Sequence, residues 1–326
     1  MYRMITFVSA LLLVGAIGCD QPGPIEVVHS LAHEPIQVNY LLGQDADSLI
    51  VTADAQAKYD LSGVLRSEED AYEATMLVNG AVYNLDGVNT VTQSYSKVAL
   101  RDTDTPETVT GNFGQVQAYK HLDVGNVRLN GTDLDKEEVY LQIRRPNQDL
   151  GILVRNGIQY KLLNDAKSQS KSFEFRPNID YAIEAEGKAQ VSPFTERIES
   201  PDQVSITEPK PNSLVLSDED LTLRWNGRPG KEVIVVISYY DEANASVVLN
   251  DPSKVIGKPI MELKSSSGLN AMLISRKLLN LIPKTSSGKI VITLISANRV
   301  EANIAQYSGK VLVQSASIHN ETVILK

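Results

Sequence analysis

Residues Glu73–Leu85, EATMLVNGAVYNL, set the fold class. Both members of Asn79-Gly80 tolerate positive φ, and apolar, strand-favouring residues flank them. The stretch therefore predicts two strands, Glu73–Val78 and Ala81–Leu85, joined by a tight hairpin turn. The same grammar recurs on either side. Asp123–Leu129 leads into Asn130-Gly131, Val139–Ile143 follows, and Arg155 and Ile158 flank Asn156-Gly157. Lys171–Phe175 and Tyr181–Ala185 alternate apolar with polar. Upstream, Ile36–Tyr40 and Leu49–Ala53 read as strands, and Ala53–Leu65 as room for a helical turn. Short strands at this spacing, with little 3.6-residue periodicity between them, predict an all-β protein of the β-sandwich type.

The breaker cluster Ser200-Pro201-Asp202 divides the chain. One sandwich is expected over 27–200 and a second over 201–326. In the second, Val204–Ile206 opens a strand and Leu221–Trp225 alternates into Asn226-Gly227. Val233–Tyr239 is continuously apolar, as a strand buried on both faces would be. Met261–Leu263, Ile290–Ile295, Lys310–Val313 and Thr322–Leu325 complete the set. Only Asn270–Leu281 has helical spacing, with Leu273, Leu278 and Leu281 on one side.

Leu221-Thr-Leu-Arg-Trp225 resembles the second strand of fibronectin type III domains, whose tryptophan packs into the core. Leu281-Ile-Pro283-Lys-Thr285 is similar to that family's Leu-x-Pro-x-Thr turn, and the strand ending Ser296-Ala297-Asn298 to its sixth strand. Val291 stands where the family has a tyrosine. In the first half, Arg176-Pro-Asn-Ile-Asp-Tyr181 resembles that turn and its tyrosine. The resemblance implies immunoglobulin-like modules in tandem, a fold that hosts many functions.

The N-terminus addresses the chain. Arg3 supplies a positive n-region, Ile5–Ile17 is apolar, and small residues precede Cys19, the only cysteine. This is the order of a secretory signal over 1–18, and the apolar run is too short for a membrane span. A cysteine at the cut resembles the bacterial lipobox. That resemblance implies lipidation at Cys19, a short tether over 19–26 and a lipid-anchored protein of the Gram-negative outer membrane, periplasmic or surface-facing. Several acyl chains would make the attachment stable. With Cys19 lipidated, no thiol remains for a disulfide or a thiolate metal site.

Composition narrows the partners. The net charge of −9 becomes more negative once Arg3 is removed, which argues against nucleic acid as a partner. A hydrophobic content of 42% is enough for packed cores and argues against a disordered stalk. No Gly-x-Ser-x-Gly elbow occurs, and no Gly-Lys pair is followed by Ser or Thr, so no enzymatic activity is expected. His29 and His33, four apart, would make a hydrolase metal site only by converging with Asp45 or Asp47. Their order departs from His-Glu-x-x-His, with Glu34 outside the pair. His121 and His319 have no companions at metal spacing and read as surface residues.

Asp102-Thr-Asp104-Thr-Pro-Glu107 and Asp133-Leu-Asp135-Lys-Glu137-Glu138 offer oxygens at alternating positions. They are weak calcium candidates without an EF-hand frame, and solvated turns are the commoner reading. Trp225 reads as core, and Tyr239-Tyr240 as an aromatic pair with one ring outward. The expected role is a structural or adhesive protein-binding module of the cell envelope. The alternative is a carbohydrate-binding accessory protein, which a surface row of aromatics would favour.

Overall fold

The computed structural model describes residues 28–29, 35–40, 50–52, 72–84, 90–105, 107–111, 114–144, 152–163, 173–188, 190–240, 258–265, 268–284 and 287–326. Cys19, the signal segment, His33, Asp45, Asp47 and the turn expected over Ala53–Leu65 lie outside them. The first strands are β1 (Val28–His29), β2 (Pro35–Tyr40), β3 (Ile50–Thr52), β4 (Ala74–Asn84), β5 (Val91–Leu100), β6 (Glu107–Gly111) and β7 (Gly114–Ala118). Next come β8 (Val127–Leu129), β9 (Thr132–Asp133), β10 (Asp135–Arg144), β11 (Ile152–Leu163), β12 (Asp180–Ala185), β13 (Phe194–Glu199) and β14 (Ser205–Glu208). The last are β15 (Leu214–Val215), β16 (Leu221–Asn226), β17 (Glu232–Tyr239), β18 (Lys258–Ser265), β19 (Ala271–Ile274), β20 (Lys289–Ala302) and β21 (Val311–Leu325). A single turn of helix, α1 (Arg276–Leu279), follows β19. The protein is all-β, as its sequence predicts.

One long sheet runs through both halves of the chain in the order β1-β2-β18-β17-β20-β21-β4-β5-β11-β10-β3. Neighbours along this path are antiparallel except at β21 and β4, which pair in parallel from Val311↔Ala74 to Glu321↔Asn84. Strand β2, from the first half of the chain, pairs with β18 in the second. The sheet thus crosses the boundary that Ser200-Pro201 marks in the sequence.

Two smaller sheets pack on one face of the long one. Sheet β14-β16-β19 closes a C-terminal core in which Leu223, Trp225 and Met272 meet Val235, Ile237, Ile292 and Val323. Sheet β13-β12-β8-β9 closes an N-terminal core in which Leu129, Tyr181 and Ile183 meet Met76, Val98, Tyr160 and Val313. Each buried Val, Leu or Ile contributes about 1.5–3 kcal/mol. On the opposite face Ile234, Val236, Ile295 and Ile318 form a third cluster, so β17 is buried on both sides, as its apolar run predicts.

Several local expectations give way to tertiary packing. Asn79-Gly80 is not a hairpin turn: β4 passes straight through it, paired with β5 on one side and β21 on the other. A Cβ on Gly80 would lie 2.3 Å from Phe175 Cδ1, so the glycine makes room for an aromatic ring. Asn156-Gly157 likewise lies inside β11. Gly157, at φ 104°, faces the His121 carbonyl oxygen 2.0 Å from where a Cβ would stand. Asn130-Gly131 does turn the chain, with φ of 47° and 80° between β8 and β9.

Phe173 and Phe175 point inward without a strand ladder: Phe173 sits edge-on to Tyr181, and Phe175 stacks on that ring. The helical spacing of Asn270–Leu281 resolves into β19 and the single turn α1, and Leu281 is exposed. Lys310–Val313 and Thr322–Leu325 are the ends of one fifteen-residue strand, β21, whose polar middle conceals its continuity in the sequence.

Candidate functional site

The acidic turns are held by their own neighbours. Asp102 accepts hydrogen bonds from the Asp104 and Thr105 amides at 3.0 and 3.2 Å and from the Thr105 hydroxyl. Partial burial opposes its charge, but these bonds and one from Gln190 outweigh it and lower the carboxyl's pKa. Asp104 accepts from Ser308 Oγ at 3.0 Å. Asp133 pairs with Arg128 at 3.0 Å, and Asp135 lies opposite Lys161 at the start of β10. Among the described residues no three His, Cys, Asp or Glu side chains converge as a metal cage would require.

Both histidines read as surface residues are buried. His121 sits between Arg101 and Gly157, its backbone joining the 119–121 segment to the long sheet. His319 is 4% exposed, and its Nδ1 accepts the Ile206 amide at 3.4 Å. The sequence conceals both because burial here is imposed by segments far away in the chain. Trp225 belongs to the C-terminal core. Tyr239 packs on that core and Tyr240 on the third cluster, on opposite faces as strand neighbours must be, and the Lys289 ammonium lies 5.3 Å from the Tyr240 ring centre.

Three arrangements have no signature in the sequence. The first is a knot around Asp123, in the segment before β8. Tyr160 donates its hydroxyl to Oδ1 at 2.8 Å, Lys136 reaches the same oxygen at 3.1 Å, and Lys188 reaches Oδ2 at 2.7 Å. The Gly125 amide adds a fourth donor. Partial burial works against the charge, but the bonds from Lys188, Tyr160 and Lys136 prevail and hold the carboxyl well below the usual range. Burial and the Asp123 bond push the Tyr160 phenol upward. A second hydroxyl tie is local: Tyr181 accepts the Arg176 amide at 2.6 Å and donates back to the Arg176 carbonyl at 3.3 Å. This is a tyrosine corner, and unlike the Asp123 knot it is the turn that Arg176–Tyr181 resembles in the sequence.

The second arrangement is the buried middle of β21, where Ser315, Ser317, His319 and Glu321 lie on the face that carries both cores. The third is an exposed platform on β10 and β11. Tyr140 stands opposite Arg155, and Leu153 lies two pairs further on, on the same face. Tyr140 is 42% exposed and Leu153 59%; nearby Tyr119, 45% exposed, is tied through its carbonyl to the Asn156 side chain. Glu138 accepts from the Tyr140 hydroxyl at 2.6 Å and from Arg155 at 2.8 Å, fixing the platform's polar rim. A polar cleft of about 330 Å³ lies elsewhere, between Arg128, Glu184 and Glu186 on one side and Phe194 and Thr195 on the other.

No family model matches the chain. No curated protein matches its sequence.

Proposed function

We propose that the chain is a non-enzymatic protein of the Gram-negative cell envelope, lipid-anchored at Cys19. In this reading its tandem immunoglobulin-like sandwiches work by protein–protein contact as a structural or adhesive module. The observation that carries it is the platform of Tyr140, Leu153 and Arg155: tyrosine and arginine beside an exposed leucine is the composition of a contact surface. The Glu138 bonds support it further, because a pre-ordered rim reduces the entropy lost on binding.

The test places a photo-crosslinking side chain at Tyr140 in the full chain expressed in its own envelope. One discrete adduct, lost when Leu153→Asp is added, supports the reading; no adduct, or one indifferent to Leu153→Asp, sinks it. The anchor is tested separately by the intact mass of the membrane-extracted protein. Added acyl mass on a chain that starts at Cys19, absent from Cys19→Ala, is the expected result. The two exposed tyrosines also favour a second reading, a carbohydrate-binding accessory protein. Titration with soluble envelope polysaccharide separates the two: saturable binding lost in Tyr119→Ala and Tyr140→Ala selects the second.

A further inference from the structure

The two halves are joined by residues 200–208, and this connector is fastened along its length. Ser200 Oγ donates to the Arg176 carbonyl at 2.8 Å, and the Glu199 carbonyl accepts from Asn298 Nδ2 at 2.8 Å. Asp202 accepts from Asn178 at 3.3 Å and from the Arg228 amide at 3.1 Å. Past these points the connector lies on β21. The Val204 amide donates to Ser317 Oγ at 3.0 Å and the Ile206 amide to His319 Nδ1 at 3.4 Å, both in buried surroundings.

The period of two along a strand gives these groups one face. Val311 and Val313 lie in the N-terminal core and Val323 and Leu325 in the C-terminal core. Ser315, Ser317, His319 and Glu321 fill the interval between them. Glu321 is 1% exposed, and its Oε2 has no hydrogen-bond partner. A buried carboxyl in that state is tolerated when neutral and costly when charged.

The groups around it are few. On β20 its cross-strand neighbour is Ile292, and on β4 it is Asn84. From the connector side, β14 brings Glu208, which is ion-paired with Arg224 at 3.1 Å. The turn after β14 brings Lys210, whose charge favours the carboxylate, and binds β21 where the Asn212 amide donates to the Thr322 carbonyl at 2.7 Å. Another titratable group, His319, lies two residues away on the same strand.

We propose that Ser317, His319 and Glu321 make this face of β21 a pH-responsive clasp on the connector. It is closed while Glu321 is protonated and His319 neutral, and loosened when Glu321 ionises and draws water into the seam. Burial sets the two limits. It pushes the Glu321 carboxyl up to about 7, against the pull of Lys210. It pushes His319 down to about 4, below which a protonated ring no longer accepts the Ile206 amide. The clasp is therefore tightest between those values and opens on the alkaline side near neutrality.

Trp225, the only tryptophan, pairs across β14 with Ile206 and reports directly on the clasped segment. Its emission in the full chain, followed from pH 5 to pH 9, should shift in one step centred near neutrality. In Glu321→Gln, which cannot ionise, the step should vanish. In Lys210→Met, where the carboxylate loses its favourable charge, the step should move to higher pH. A flat profile in the natural chain, or a step that survives unchanged in Glu321→Gln, overturns the proposal. A step that Lys210→Met leaves in place also counts against it, because it would assign the transition to another group.

Discussion

Two carboxyls, the partly buried Asp123 in the N-terminal half and the fully buried Glu321 on the strand between the cores, have opposite fates. Asp123 collects Tyr160, Lys136, Lys188 and the Gly125 amide, so its charge is stabilised and its proton leaves at unusually low pH. Glu321 is buried with an unpartnered oxygen, and its proton is retained into the neutral range. The difference is one of donors as well as depth. A carboxylate that its surroundings satisfy works as a tie, whereas one that they leave unsatisfied works as a sensor.

The comparison can be broken at either end. The largest effect is expected from Asp123→Ala, which leaves Tyr160 and two ammonium groups without their acceptor. Denaturant unfolding should report a loss of about 3 kcal/mol, the scale of hydrogen bonds to charged groups. Glu321→Gln should act in the opposite direction. A carboxyl pKa raised by folding favours the native state fully below its unfolded value of 4.5, and the advantage is lost as pH rises through about 7. The variant should therefore gain up to about 3 kcal/mol at pH 8 and nothing at pH 4, as melting at the two pH values would reveal.

Tyr160→Phe, which keeps the ring and removes one donor from Asp123, should cost about 1 kcal/mol. It should also raise the pH at which acid destabilises the protein. Asp123, depressed below its unfolded 3.8, contributes stability that is present above that value and lost as pH falls through the folded pKa. The smallest effect belongs to Arg128→Met: its pairs with Asp133 and Glu186 are solvent-exposed, and no measurable change in melting is expected.

Much of the fold was legible because it depends on local alternation. Leu221–Trp225, Val233–Tyr239 and Tyr181–Ala185 are strands where their patterns place them, and Trp225 is core. The Asn-Gly pairs divide instructively. At Asn130-Gly131 both residues take positive φ and turn the chain. At Asn79-Gly80 the same dipeptide extends within a strand, because pairing on both sides and the Phe175 ring outweigh a local turn preference. His121 and His319 carry no sign of burial in the sequence for a related reason, since the segments that bury them come from elsewhere in the chain. The Asp123 knot was hidden because its members lie at positions 123, 136, 160 and 188, with no spacing to announce them.

The sequence by itself determined the secondary structure class and most strand positions, since these follow from side-chain period and turn chemistry within a few residues. Only the tertiary structure decided that one sheet passes through the breaker cluster at Ser200-Pro201, that β21 joins β4 in parallel, and that the polar middle of β21 lies buried under the connector. The reason is physical. Alternation specifies that a strand needs a partner and a covered face, but which strand and which cover are settled by contacts between residues more than a hundred positions apart.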